Sequence, residues 1–197
     1  MRCCFLLLVL CGVIGAIGAC ATTPRERSPT EYLDTRTAAT VTFVAAPLVF
    51  ARERRELAAH SRDYVTLAAA SVNRGGTIDT FILAYYWSTL DTRSDSHGSE
   101  IKTGDTLVIV ADDRVLRLPA DSRPIQEVGL GTAVHAPPHH GWRLSLHRTD
   151  LATLKIMAEC NQLAVLAPDG GGSSKYEAWN DERRSLRGLI ARLEGTN

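Results

Sequence analysis

The spacing of apolar residues changes character along this chain, and each change marks an element. Phe5 to Ile17 is a continuous uncharged apolar run, too short to span a bilayer as a permanent helix. Ala21 to about Leu33 holds Pro24, Pro29 and several charges, which predicts a tether. Thr40 to Phe50 is rich in β-branched and aromatic residues and reads as strand, with Pro47 pushing its second half toward an edge or a bulge. A charged connector, Arg52 to Arg62, follows. Tyr64 to Thr89 is the clearest signal, because two long β-favouring runs flank Asn73-Arg74-Gly75-Gly76, where glycine can take the positive φ of a hairpin turn. The second run, Ile78 to Trp87, begins with alternation and then turns apolar on both faces, which predicts a central strand covered on both sides.

Past Asp91 to Asp105, a polar stretch read as a surface loop, the pattern resumes. Leu107 to Val110 and Val115 to Leu118 predict a short hairpin turned at Ala111 to Arg114. Pro119 to Gly141 is weakly patterned, with a candidate strand at Ile125 to Val128, and Arg143 to His147 alternates cleanly. Thr149 is placed to cap a helix with apolar positions Leu151, Leu154 and Ala158, ended by Asn161. Leu163 to Leu166 and Tyr176 to Trp179 read as strands around a flexible turn at Asp169 to Gly172. Asn180 is the expected cap of a closing helix whose stripe is Leu186, Leu189, Ile190 and Leu193, ended by Gly195.

Strands closely spaced in the first half leave no room for crossover helices. The order therefore predicts an α+β domain over residues 34–197, mainly an antiparallel β-sheet or sandwich, with two helices in the C-terminal part packed on one side.

The N-terminal run ends in Ile17-Gly18-Ala19-Cys20 and is preceded by Arg2, the layout of a secretory leader over residues 1–19. A branched aliphatic residue, two small residues and a cysteine resemble the lipobox of bacterial lipoprotein precursors. The resemblance covers the leader alone. It implies that Cys20 receives a diacylglycerol thioether and becomes the acylated N-terminus, anchoring the domain to a lipid bilayer through residues 20–33. Ala21 stands where an aspartate typically retains such proteins in the inner membrane, so the resemblance implies an outer-membrane location facing the periplasm. A second reading stays open, since Ala19-Cys20-Ala21 also has the small-x-small pattern of ordinary signal peptidase cleavage, which would release a soluble protein lacking Cys20. A buried core helix is disfavoured by Gly12, Gly15 and Gly18.

Charge changes the picture little. The formal net charge is zero and the arginines are interleaved with acids, which argues against a nucleic-acid partner. Of five cysteines, Cys3, Cys4 and Cys11 lie in the leader and Cys20 would carry lipid. Cys160 alone cannot close an internal disulfide, so an exported domain must rest on its apolar core, with Cys160 expected as a buried, inert thiol.

Candidate chemistry is sparse. His135, His139 and His140 share one loop and are the weak candidates for a metal, but Pro137 and Pro138 keep His135 and His139 off a common helical face, and an exposed loop without metal is the expectation. Ser99-Glu100-Ile101-Lys102 and Lys102-Thr103-Gly104 match motifs of penicillin-recognising enzymes only by accident, because one lysine would serve both. Gly170 to Lys175 has the wrong glycine spacing for a phosphate loop, with Tyr176 where Ser or Thr is required. Asp112 and Asp113 read as solvated turn carboxylates. Tyr85, Tyr86 and Trp87 could line a groove, but their strand favours core packing.

These readings lead to an expected function: a lipid-anchored bacterial envelope protein with a binding or structural accessory domain, no catalytic residues and no cofactor. The rivals are an envelope hydrolase or metal-dependent enzyme using His135, His139 and His140, and a subunit of a larger envelope complex.

Overall fold

The computed structural model describes residues 27–90, 105–138, 141–169 and 172–195. The residues expected to form a leader, Cys20, the stretch 91–104 expected as a surface loop, His139, His140 and residues 170–171 of the expected turn lie outside the described residues.

The fold is α+β, and the described residues form one mainly antiparallel sheet and two helices. Its strands are β1 (Thr30–Asp34), β2 (Ala39–Phe43), β3 (Leu48–Glu53), β4 (Arg62–Arg74), β5 (Thr77–Ser88), β6 (Leu107–Ala111), β7 (Arg114–Leu118), β8 (Arg143–Thr149), β9 (Leu163–Asp169) and β10 (Gly172–Asn180). The helices are α1 (Leu151–Glu159) and α2 (Arg183–Glu194).

The long hairpin β4–β5 is the axis of the sheet. It pairs Arg74 with Thr77 and continues unbroken to Asp63 and Ser88. Gly75 and Gly76 have φ values of 58° and 90°, and the Asn73 side chain accepts a hydrogen bond from the Gly76 N–H at 3.0 Å. The turn is thus built where glycine permits left-handed backbone. One edge of β4 carries β3 on its first half and β2 on its second, while β5 pairs with β8. From β3 the sheet continues through β10, β9 and β6 to β7. The two ends then meet, because Ala120, just past β7, bridges His147 of β8 and the Asp121 N–H donates to the Leu146 carbonyl at 2.7 Å.

Both faces of the hairpin are covered, which explains its apolar second strand. On one face Leu67, Ala69 and Ile82 meet Met157 of α1 and Leu186 of α2 around a void of about 10 Å³. On the other, the segment after β7 lies across the sheet. A Cβ on Gly129 would come 2.6 Å from Val72, and Val128 and Leu130 are buried. Asp34, at the end of β1, holds this segment by accepting the Gly131 N–H at 2.7 Å. Burial opposes ionisation of Asp34, but hydrogen bonds from the Gly131, Arg36 and Thr37 amides outweigh it and hold its pKa below the ordinary value.

Several boundaries differ from the sequence reading. Thr40 to Phe50 is two strands, β2 and β3, separated at Val44–Pro47. Ile125 to Val128 is a turn, and it contributes side chains rather than a strand. The last residues of the stretch expected as a tether up to Leu33 belong to the domain: β1 begins at Thr30 and pairs with β2, and Arg27 already touches α2. The helix cap is Asp150 instead of Thr149, with Asp150 accepting from the Thr153 N–H at 2.7 Å, and α1 ends at Cys160. Asn180 closes β10, and Glu182 precedes α2 without a side-chain cap.

Candidate functional site

Past Glu177, β10 parts from β9, whose pairing with it ends at Ala164, while it stays paired with β3 as far as Asn180, and a cleft of about 340 Å³ lies beside this point. Leu48 and Phe50 of β3, Leu163 and Ala164 of β9, and Ala178 of β10 supply an apolar floor. The rim is polar and comes from places remote in sequence: the β6–β7 turn, the end of α1, the face of β10 and the first turn of α2.

Each rim group is held by the local backbone. Asp112 sits in the β6–β7 turn at φ 53°, which aims its carboxylate at the segment leaving α1. It accepts from the Gln162 N–H at 2.8 Å and the Asn161 N–H at 3.0 Å. These two amides, Gln162 first, lower its pKa. Asp112 and Asp113 are both exposed turn residues, as expected, and Asp112 is in addition a bracket between a turn and a helix end. Arg183, in the first turn of α2, forks onto Asp181 with both carboxylate oxygens 2.9 Å from Nε, and its Nη1 donates to the Cys160 carbonyl. That bond satisfies a carbonyl at the C-terminus of α1, where positive charge is favoured. Lys175 and Glu177 pair at 3.5 Å on β10. Asn161, Gln162 and Asn180 complete the rim with side chains able to donate and accept.

Cys160 borders this rim, half-buried, with its Sγ 3.8 Å from the Arg183 Nη1. Burial pushes its pKa up while Arg183 opposes the change. The thiol form is favoured, and the residue packs against the core cluster.

A second feature lies one residue from the cleft. The register of β10 against β3 shifts between Ala178 and Asn180, and Trp179 sits at that irregularity, 58% exposed. Its ring meets Tyr64 edge-on at 6.2 Å, and the Arg62 guanidinium lies 4.7 Å from its centroid. Tyr64 in turn stacks on Trp87 at 4.1 Å, and the Trp87 indole donates to Thr66 Oγ1 at 3.0 Å. Of the three aromatics read together in the sequence, only Trp87 joins this surface. Tyr85 is fully buried beneath the covering segment, and burial pushes its phenol up to about 12.

The buried polar groups of β8 form a third arrangement. His147 Nδ1 lies 3.0 Å from the Leu118 carbonyl, which can only accept, so Nδ1 carries the proton and Nε2 accepts from the Ser145 hydroxyl at 2.7 Å. A nucleophile and a base are thus in contact. His147 is fully buried, Ser145 nearly so, and neither lines the cleft, so the pair ties β8 to β7 and does not face a substrate.

Of the histidine candidates, His135 is committed to packing. Its backbone N–H donates to the Tyr85 hydroxyl at 3.3 Å and its ring stands edge-on to Tyr85 at 5.7 Å. Burial lowers its pKa. Among the described residues, no group of three His, Cys, Asp or Glu side chains is placed to hold a metal, and no helix is long and apolar enough to cross a membrane.

Sequence reasoning missed Lys175, Asn180, Asp181 and Arg183 as rim residues and Trp179 as a surface anchor. The rim has no sequence signal, because its members are scattered over four places remote in sequence. Trp179 had one, an aromatic residue directly before a polar Asn-Asp turn at a strand end. In comparisons with known proteins, no protein family, no curated protein and no solved structure matches this chain.

Proposed function

We propose that this is a lipid-anchored protein of the bacterial envelope, acylated at Cys20, whose domain binds a small polar ligand as a non-catalytic accessory. The observation that carries the binding reading is the cleft. Its volume falls in the range of small-molecule sites, and an apolar floor under convergent polar groups is what such sites require. Its acids (Asp112, Glu177, Asp181) and bases (Lys175, Arg183) are already engaged with protein partners, which suits a ligand without strong net charge.

Two measurements test this. Metabolic labelling with a palmitate analogue should mark the wild-type protein and not Cys20→Ser; equal label in both would remove the anchor. Thermal melting against a library of neutral polar metabolites should find stabilising compounds, with the shift following RT ln(1 + [L]/Kd). Ala164→Trp, which fills the floor, should abolish the shift. A library that moves neither protein, or both alike, would remove the cleft as the binding site.

Trp179 favours a second reading, a subunit of a larger envelope complex. An exposed Trp backed by Tyr and Arg has the make-up of an interface hot spot. Photo-crosslinking from position 179 in cells would show a discrete adduct under this reading and none under the first.

A further inference from the structure

We infer that α2 is the membrane-proximal face of the domain, because the chain that leads to the lipid anchor is clamped onto this helix at Gly188. The inference rests on acylation of Cys20. Gly188 lies in the middle of α2, where an alanine would otherwise serve the helix better. A Cβ at that position would stand 2.1 Å from the Arg27 carbonyl oxygen and 3.0 Å from its carbon. Only a bare helix backbone admits the strand of chain that crosses there.

Two ion pairs hold the same segment. Arg27 reaches Glu182 at the start of α2 at 3.7 Å, and Arg192 near its end reaches Glu31 of β1 at 3.0 Å. Glu182 is buried to 8% exposure, so its carboxylate is spoken for by Arg27 and Arg184. From Thr30 onward the chain is part of the sheet. The crossing over α2 is therefore fixed at a point, a strand and two side-chain contacts.

The greatest reach from the anchor follows from residue count. Cys20 and Arg27 are separated by seven residue steps. Even a fully extended chain covers at most about 3.6 Å per residue, so the crossing point lies within about 25 Å of the acylated cysteine. The whole of α2 is about 18 Å long by its rise of 1.5 Å per residue. Helix and anchor are of comparable reach, and a domain held by its α2 side cannot turn that side away from the phospholipid surface. The segment carrying Glu127, on the opposite face of the sheet, is correspondingly held outward. Were the chain free up to Leu33, the tether would be nearly twice as long and attached through β1.

The test uses the full-length acylated protein in vesicles of phosphatidylethanolamine and phosphatidylglycerol with an acceptor-labelled lipid. A donor dye is placed at the exposed position of Ala191→Cys on α2 or of Glu127→Cys across the sheet, each with Cys160→Ser. Energy transfer to the lipid should be stronger from position 191 than from 127. Gly188→Ala should release the crossing, so that the difference between the two positions falls away and trypsin cuts after Arg27 faster in detergent. Glu182→Gln, which removes the ion pair and leaves the helix glycine intact, should move both readouts in the same direction by less. Equal transfer from the two positions, or no change of either readout in Gly188→Ala, overturns the inference. Palmitate label absent from the wild type would overturn the anchor itself and the orientation with it, whereas the trypsin comparison reads the clamp with or without lipid.

Discussion

His147 shows how one side chain joins the two ends of a sheet. Burial lowers its pKa below the ordinary 6.5, and in the fold the neutral ring donates through Nδ1 and accepts through Nε2. As pH falls, the unfolded chain takes up the proton first, so this contribution to stability is intact above about pH 6.5 and is lost as pH falls toward the lower folded value. Melting temperature measured between pH 7.5 and 5 should therefore decline, and His147→Asn, which keeps a donor near the Nδ1 position, should have a shallower slope over the same window. An identical slope would assign the decline to other groups. His135 differs, because its ring is already packed on Tyr85 and a stable zinc site normally needs three or four converging ligands. Zinc or nickel should leave the melting temperature unchanged in the wild type and in His139→Ala. A zinc-dependent rise that disappears in the mutant would put the metal-enzyme reading first.

The β4–β5 hairpin is the element on which stability turns. Phe81 of β5 is fully buried, paired across to Ala70 on one side and to Arg148 on the other. Phe81→Ala should cost about 3–5 kcal/mol, the range for truncating a buried Phe. Ile78, near the turn and 39% exposed, should cost well under that when cut to alanine. Urea unfolding of the two variants checks the ordering, and a loss under about 1 kcal/mol for Phe81→Ala would place β5 outside the core. This hairpin was legible because every local signal agreed: length, β-branching and Gly75-Gly76. The helix starts were less so. Thr149 and Asn180 are good caps by type, yet each lies on a strand that its neighbours extend, and sheet pairing settled the boundary: Asp150 caps α1, and Glu182 precedes α2.

At the scale of the whole molecule, closure of the sheet is what brings the cleft together. Strand β10 reaches β3 across more than a hundred residues of sequence, and the β6–β7 turn reaches the end of α1 through Asp112. The sequence by itself determined the α+β class, the antiparallel hairpins and the amphipathic α2, because alternation, turn glycines and a helical stripe are local properties of neighbouring residues. The proposed leader and its resemblance to a lipobox are likewise linear readings. The sequence did not determine which face of each strand meets the helices, that Trp179 stays outside while Tyr85 goes in, or that Gly188 receives the chain at Arg27. Those depend on contacts between segments far apart in sequence, whose energies arise only when both partners are in place, and the tertiary structure alone decided them.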